Sequence, residues 1–382
     1  MIHRMGAIPW FAPIRYRGRR NGCVSSSGYL VDASRIEKQR EKLLMSRFIS
    51  RRRHVVILML AAAFLSGMIG HAFAAESNAK EAPAKSASGM FLSMRDGYIG
   101  ADTFPTLVDG LRHLHIDAVE LNLGRDFGVQ SLDSKEKIFL KTDDDAKQYR
   151  QKAEKLGVNI CSVLTACDFS AGDMESNVAW IARAIELADL LGASSVRIDS
   201  AMAKEKQLDF ETRVKIFVEG LSGALQRTSG SKVTLGIENH GFQGNNLAFL
   251  LNTFQQVGSD RLGSTLDVGN FYWRGYPLSE VYGILNILAP HAKHTHMKNI
   301  HYPEDKREIT REAGWEYGKY CSPLDEGDID LTKVIAMLAK VGYKGDVCIE
   351  DESVGKCKTP EERIAVLERD IAHLRKILDG MK

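Results

Sequence analysis

Eight short apolar runs, each followed by a segment with helical periodicity, constrain the fold of residues 89–382 more than any other feature. The runs are 90–94, 118–123, 158–164, 194–199, 233–238, 264–268, 293–298 and 345–350. The predicted helices cover 103–114, 142–156, 175–191, 210–225, 246–257, 278–289, 330–340 and 359–378. Alternation of strand and helix is typical of a parallel sheet. Eight such units predict an α/β fold, a single-domain (β/α)8 TIM barrel, whose active site lies at the carboxyl ends of the strands.

Ionisable residues close four of these runs in the second half of the chain: Glu238, Asp267, His296 and Glu350. A charged side chain at the end of a buried strand is costly unless a partner pairs with it. Three carboxylates and one imidazole suit a single divalent ion such as Mn²⁺ or Mg²⁺, with Zn²⁺ as an alternative. Each glutamate taken alone could instead be a structural ion-paired acid. A barrel brings the four strand ends to one mouth, whereas a doubly wound sheet, the alternative topology, would scatter them along an open edge.

Residues 45–74 have the three parts of a secretory signal peptide. Three arginines at 51–53 form a basic region, 55–70 is apolar, and the Ala-Phe-Ala sequence at 72–74 is a cleavage site. The apolar part is shorter than the span of about 20 residues that crosses a membrane. We therefore predict a periplasmic or secreted protein, exported by a general or a twin-arginine route, with no stable membrane anchor. An uncleaved anchor is the alternative.

The segments that flank this signal are predicted to lie outside the fold. Residues 1–44 are interpreted as a non-native upstream extension, with Met45 as the natural start, and 75–88 as a polar spacer. Residues 1–74 contain 13 Lys/Arg and 3 Asp/Glu, so the remainder carries a net charge of −8. This acidic remainder has no Lys/Arg run typical of a nucleic-acid-binding surface, and we predict no nucleic-acid partner.

Five short motifs resemble the xylose-isomerase-like TIM-barrel superfamily, which includes the sugar phosphate isomerase/epimerase family. They are E-N-H at 238–240, D-x-G-N at 267–270, H-x-K at 296–298, E-G-D-I-D at 326–330 and I-E at 349–350. The resemblance spans roughly residues 90–378. It implies that the four strand-closing residues bind one divalent metal ion. It also implies that Glu238 and Glu350 are catalytic and exchange protons at adjacent carbons of a sugar.

A related branch of the superfamily, which cleaves abasic DNA with three zinc ions, fits the sequence poorly. That branch needs further histidines, one of them three residues after the metal-binding Asp, where this chain has Asn270. The second strand run ends in Asn122 and Leu123. His294 and His301 are disfavoured as metal ligands, because the histidine of the resembling motif stands two residues before the lysine.

Six residues beside the motifs are candidate substrate contacts: Arg197, Asn239, His240, Asn270, Trp273 and Lys298. Lys298 shares a strand face with His296 and could neutralise either a substrate oxyanion or a neighbouring carboxylate. Arg197 could contact substrate or form a salt bridge with Asp199. The two residues after Glu238 suit sugar hydroxyls, and the aromatic residues 271–273 suit either stacking on a sugar ring or loop packing.

We therefore expect an exported, divalent-metal-dependent isomerase or epimerase that acts on a sugar or keto-sugar through an enediolate. A lyase or dehydratase acting on a keto-sugar or keto-inositol is an alternative, because the same proton abstraction can expel a β-oxygen. A non-catalytic sugar-binding barrel is a further alternative. The expected partner is a small sugar or polyol. The loop 299–328 is long enough for a lid over the barrel mouth, or for a contact in a homo-oligomer.

Overall fold

Eight parallel strands form a closed barrel in the computed structural model, which describes residues 89–100 and 103–381. The strands are β1 (Phe91–Arg95), β2 (Ala118–Asn122), β3 (Asn159–Leu164), β4 (Ser195–Ile198), β5 (Thr234–Glu238), β6 (Leu262–Asp267), β7 (Ala292–Met297) and β8 (Asp346–Ile349). Each strand pairs with the next in the chain, and β8 pairs with β1 to close the ring. The predicted (β/α)8 barrel is confirmed, and each predicted strand is present within two residues of its expected bounds.

A helix follows every strand. The helices are α1 (Leu107–His113), α2 (Asp143–Leu156), α3 (Met174–Leu191), α4 (Phe210–Arg227), α5 (Leu247–Val257), α6 (Leu278–Leu288), α7 (Leu331–Lys340) and α8 (Pro360–Asp379). Their ends follow from local sequence. Asp209, for example, caps α4 by accepting a hydrogen bond from the Thr212 N–H group at 2.8 Å. Gly192 ends α3 with a φ of 83°, a left-handed conformation that favours glycine.

Along the strands, apolar residues that face the helices alternate with residues that face the barrel interior. On β5, Leu235 and Ile237 are fully buried apolar residues, whereas Glu238 closes the strand. On β2, Val119 and Leu121 are fully buried, and Glu120 between them reaches the barrel interior, where it contacts histidines of β7. The apolar side chains pack under the helices, so the interior near the carboxyl ends of the strands is left to ionisable groups.

Two loops carry small sheets of their own. After β2, Gly128–Gln130 pairs antiparallel with Lys137–Phe139. After β7, Asn299–Ile300 pairs antiparallel with Cys321–Ser322, which closes the loop 299–328 on itself. The sequence did not predict either pairing.

Arg311 anchors the loop 299–328. Its guanidinium carbon lies 4.4 Å from the ring centre of Tyr272 and 4.1 Å from that of Tyr302. The Nη2 atom also donates to the main-chain oxygen of Tyr272 at 2.8 Å. The contact with Tyr272 and the charge-assisted hydrogen bond therefore hold the loop against the segment after β6, and the contact with Tyr302 joins two parts of the loop.

Residues 1–88, which include the predicted upstream extension, signal peptide and spacer, lie outside the described residues. Within the described part of the chain, no helix combines the length and the apolar character needed to span a bilayer. The five cysteines of that part are free thiols.

Candidate active site

The four predicted metal ligands converge at the carboxyl ends of β5 to β8. Glu238, Asp267, His296 and Glu350 each offer one ligand atom, and these atoms all lie within 4.8 Å of one another. The exposed fraction of each residue is 3% or less. Strand pairing explains this convergence, because Asp267 is the register partner of His296 on the neighbouring strand, and the four strands are consecutive in the barrel wall.

Three of the converging atoms are buried without a hydrogen-bond partner: Asp267 Oδ2, His296 Nδ1 and Glu350 Oε2. His296 Nδ1 lies 3.1 Å from Glu350 Oε2. Two of the three atoms have a cation nearby, since Lys298 Nζ lies 3.1 Å from Asp267 Oδ2 and 3.4 Å from Glu350 Oε2. Buried polar atoms almost always have a hydrogen-bond partner, so three such atoms without one in a single site are unusual. A divalent cation held by all four groups would satisfy them, and the set of three carboxylates and one imidazole fits such an ion.

A layer of ionisable groups lies behind His296, and sequence reasoning missed its centre, Glu120. His296 Nε2 lies 2.9 Å from Glu120 Oε2, and His294 Nε2 lies 2.8 Å from Glu120 Oε1. His294 Nδ1 in turn lies 2.9 Å from Asp346 Oδ1. Glu120 and both histidines are fully buried. The four side chains form one continuous row from Asp346 to His296, with a hydrogen bond at each end and an ion-pair contact between His294 and Glu120 in the middle.

This row fixes the orientation of the His296 ring. Burial would raise the pKa of Glu120, but the positive charges and hydrogen bonds of His294 and His296 lower it well below its usual value. A carboxylate that accepts from Nε2 leaves Nδ1 of His296 directed at the other three ligand residues. Histidine ligands of metals are usually oriented by such a carboxylate. The two ring nitrogens of His294 lie next to the carboxylates of Glu120 and Asp346. His294 therefore helps to position Glu120, which in turn positions His296.

A second group, Glu120, His294, His296 and Cys348, also has ligand-type atoms within 4.8 Å of one another. The Glu120 carboxylate already separates the two imidazoles at hydrogen-bond distances. Burial raises the pKa of the Cys348 thiol to about 12, so the thiol stays neutral near pH 7. We interpret this group as a hydrogen-bond network.

Three cations, Arg95, Arg197 and Lys298, surround the four predicted metal ligands, which we call the ligand set. Arg197 forms an ion pair with Glu238, and Arg95 forms one with Glu350. Burial would raise the pKa of Glu238, but the charge of Arg197, with those of His296 and Lys298, lowers it well below its usual value. Glu238 is therefore ionised at neutral pH and available as a ligand or a base.

Lys298 is buried among carboxylates on the other side of the ligand set. Its Nζ atom lies 3.1 Å from Asp267 Oδ2, 3.4 Å from Glu350 Oε2 and 3.0 Å from Glu352 Oε1. Burial disfavours its charge, but the charges of Asp267 and Glu352 raise the pKa above its usual value. Glu352 also accepts a hydrogen bond of 2.6 Å from the Tyr317 hydroxyl group, so the loop 299–328 reaches the site.

The structure separates the other predicted substrate contacts into two groups. Asn239 is fully buried. Its Nδ2 atom donates to the main-chain oxygen of Asp267 at 2.8 Å, and its Oδ1 atom accepts from the Asp267 N–H group at 2.9 Å. Asn270 donates to Glu238 Oε1 at 3.0 Å. These two amides therefore position ligand residues.

His240 and Trp273 lie farther out. The His240 side chain is 44% exposed, and its Nδ1 lies 3.1 Å from Asp199 Oδ1. Asp199 raises the pKa of His240. Trp273 is half-buried, and its main-chain oxygen accepts from the Gly314 N–H group of the loop 299–328. Of the six candidates, Arg197, Asn270 and Lys298 contact side chains of the ligand set, and Asn239 contacts the main chain of Asp267.

A sequence model of the family described as xylose isomerase-like TIM barrel matches residues 109–377. No curated protein matches the chain at a significant level. Among solved structures, a sugar phosphate isomerase/epimerase from Parabacteroides distasonis is 16% identical, with a TM-score of 0.53, covering 78% of this chain and 97% of its own. The IolI protein with a bound zinc atom is 17% identical, with a TM-score of 0.53 and coverages of 77% and 99%. Mannonate dehydratase from Streptococcus suis is 10% identical, with a TM-score of 0.55 and coverages of 76% and 95%.

Proposed function

Because this chain belongs to the xylose isomerase-like TIM barrel family, we propose that it is a divalent-metal-dependent isomerase or epimerase of a sugar or keto-sugar. The observation that carries the proposal is the convergence of Glu238, Asp267, His296 and Glu350, three of which have a buried polar atom without a hydrogen-bond partner. Such a group combines a metal site with two glutamates that can move protons.

Glu238 and Glu350 act as base and acid on opposite sides of the substrate. They close β5 and β8, which are three strands apart around a ring of eight. One removes the proton next to the substrate carbonyl, and the other delivers a proton to the adjacent carbon or to the opposite face. A divalent ion held by Glu238, Asp267, His296 and Glu350 would supply Lewis-acid stabilisation of negative charge on the substrate oxygens. IolI, which shares the fold, contains zinc, and Mn²⁺ or Mg²⁺ suits the same donors.

Lys298 and Arg197 supply fixed positive charge. Lys298 remains protonated at neutral pH, because its neighbouring carboxylates raise its pKa. Its ammonium group can therefore stabilise a developing oxyanion without giving up its proton. Arg197 keeps Glu238 ionised, which a general base requires.

The proposed reaction is tested by NMR of metal-loaded protein in D₂O with a panel of free sugars, keto-sugars and polyols. We expect a rearranged product with solvent deuterium at the reacting carbon, and no conversion after chelation of the metal. A dehydrated product would identify the lyase alternative. Stoichiometric metal binding without conversion of any compound in the panel would favour the non-catalytic, sugar-binding barrel.

Export is a separate proposal. The basic, apolar and cleavage regions of 45–74 support removal of this segment during secretion. N-terminal sequencing of the protein from its native host should find a mature chain that begins at Ala75 or within one residue of it. An intact 45–74 segment on a membrane fraction would contradict the proposal.

A further inference from the structure

Arg213, in the first turn of α4, is a buried cation whose only contacts with ring or charged groups among the described residues are with the aromatic rings of Phe210 and Phe242. Its exposed fraction is 8%, yet its Nε and Nη1 atoms have no hydrogen-bond partner. No ion pair within the described residues includes it. A buried, unpaired guanidinium is costly, and buried polar groups without partners are rare. Arg213 therefore needs an explanation that the catalytic site does not provide.

Two further cations share an aromatic neighbour with Arg213. The guanidinium carbons of Arg213 and Arg274 each lie 5.4 Å from the ring centre of Phe242, and Lys206 Nζ lies 5.9 Å from it. Arg274 and Lys206 also take part in no ion pair among the residues that the structure describes. We call Lys206, Arg213, Phe242 and Arg274 the Phe242 cluster.

The Phe242 cluster lies on the catalytic side of the barrel. Lys206 follows β4, Phe242 follows β5 and Arg274 follows β6, while Arg213 begins the helix after β4. All four positions thus lie between the carboxyl end of a strand and the first turn of the helix that follows it. Phe242 is four residues beyond Glu238, so their Cα atoms are at most about 14 Å apart. The cluster is close enough to hold another part of a molecule that reacts at Glu238.

Two carboxylates of the segment after β4, those of Glu205 and Asp199, have other partners. Glu205 accepts hydrogen bonds from the N–H groups of Phe242 and Gln243, at 3.1 and 3.2 Å. Asp199 lies 3.1 Å from His240 and 3.8 Å from Arg197. Neither forms an ion pair with Lys206, Arg213 or Arg274, so the three cations of the cluster keep their positive charge unpaired by these acids.

We propose that the Phe242 cluster binds an oxyanion, a phosphate or carboxylate group. The planar guanidinium groups of Arg213 and Arg274 suit bidentate binding of such a group, and Lys206 adds a third charge. The oxyanion is either the charged end of the substrate or a separate anion. Only its assignment to a substrate rests on the proposed function.

Titration of the metal-loaded protein with inorganic phosphate, at constant ionic strength set by chloride, tests this proposal. We expect saturable binding by calorimetry and a phosphate-dependent rise in the melting temperature. Arg213→Met and Arg274→Met should each weaken binding at least about tenfold, because a charge-assisted hydrogen bond is lost. Arg227→Met is the matched control, since Arg227 ends the same helix and pairs with Glu175, and it should bind phosphate as the wild type does.

Two measurements separate this site from the metal site and from a structural role. Asp267→Ala should retain phosphate binding, because the partners of the Asp267 side chain are Gly269, Asn270 and Lys298, none of which belongs to the Phe242 cluster. Without phosphate, Arg213→Met should be at least as stable as the wild type, since replacing an unpaired buried charge by an apolar group removes a desolvation cost. The proposal is overturned if the wild type does not bind phosphate, or if both arginine variants bind it unchanged.

Competition distinguishes the two sources of the oxyanion. If the anion is part of the substrate, sugar phosphates or sugar acids should bind at least tenfold more tightly than their neutral counterparts, and phosphate should displace them. That preference should disappear in Arg213→Met. If phosphate and a neutral sugar bind together without competition, the oxyanion is a separate ligand.

Discussion

The Nε2 atom of His296 lies 2.9 Å from Oε2 of Glu120, so one buried carboxylate determines that Nδ1 is the ring nitrogen directed at the other three candidate metal ligands. Glu120 holds His294 in the same way at 2.8 Å. A glutamine at this position has one acceptor oxygen and one donor nitrogen. It could therefore not offer an acceptor atom to each of the two imidazole rings, as the carboxylate does. The row of groups behind the site therefore depends on the charge of Glu120.

Glu120→Gln should weaken metal binding about 10–100-fold while the barrel remains folded, which is the usual effect of removing a carboxylate behind a metal-binding histidine. Calorimetric titration of the metal-free protein measures the affinity, and far-ultraviolet circular dichroism checks the fold. Glu361→Gln, an exposed glutamate of α8, is the control. Equal metal affinity in Glu120→Gln and the wild type would show that Glu120 does not orient His296.

Asp267→Ala should lose tight metal binding, because it removes a ligand atom that has no hydrogen-bond partner. His301→Ala should retain it, since the His301 side chain is 58% exposed and faces Asp328. Metal analysis after dialysis should find about one ion per chain in the wild type and in His301→Ala. Full occupancy in Asp267→Ala would contradict the assignment of the ligand set.

Asp370, on α8, should make the protein less stable as the pH rises. Burial and the charge of Asp351 raise the pKa of Asp370 to about 9, whereas an aspartate of an unfolded chain titrates near about 4. Between these values the folded state binds more protons than the unfolded state. The free energy of unfolding therefore decreases with rising pH through this window, by up to about 1.4 kcal/mol per pH unit.

Urea denaturation of the wild type and Asp370→Asn between pH 5 and about pH 9 measures this effect. Asparagine keeps an oxygen that can accept from the Leu324 N–H group, now at 2.8 Å from Asp370 Oδ1, but it does not titrate. The pH dependence of the variant should be flatter. Asp260→Asn, at an exposed position, should follow the wild type. Parallel curves for Asp370→Asn and the wild type would refute the raised pKa.

Arg311→Met should loosen the loop 299–328 and leave the barrel intact. The substitution removes two ring contacts and the hydrogen bonds to main-chain oxygens of Tyr272 and Tyr276. We expect faster proteolysis within the loop and an unchanged content of helix and strand. Lys306→Met is a weaker perturbation in the same loop, since the Lys306 side chain pairs with Asp305, which is 71% exposed. Equal proteolysis rates in the Arg311 variant and the wild type would contradict the anchoring role.

The barrel could be predicted from sequence because its signals are local. A buried parallel strand is a short apolar run, and the helix after it has its own periodicity and end signals, such as Gly192. The four metal-ligand candidates were found for the same reason, since each closes such a run and parallel strands align their carboxyl ends.

Residues whose roles depend on distant partners were missed. Glu120 stands in the middle of AVELNL, where the alternation hints that an acid points inward but does not reveal the two histidines on β7. Arg95 follows the first predicted strand by one residue, and its ion pair with Glu350 depends on closure of the barrel. Tyr317 lies in a long loop without periodicity. Asn239 was expected near substrate, and its bonds to the main chain of Asp267 could not be read from spacing.

The central claim is that Glu238 and Glu350 transfer protons beside a bound metal ion, and exchange of substrate hydrogen for solvent deuterium tests it most directly. Metal-loaded wild type, Glu238→Gln and Glu350→Gln are compared by NMR in D₂O with the compound that the wild type converts. Glutamine still offers a ligand oxygen, and metal analysis verifies occupancy. We predict that each variant slows exchange and turnover at least about 100-fold with metal still bound. Near-wild-type exchange in both metal-loaded variants would contradict the account.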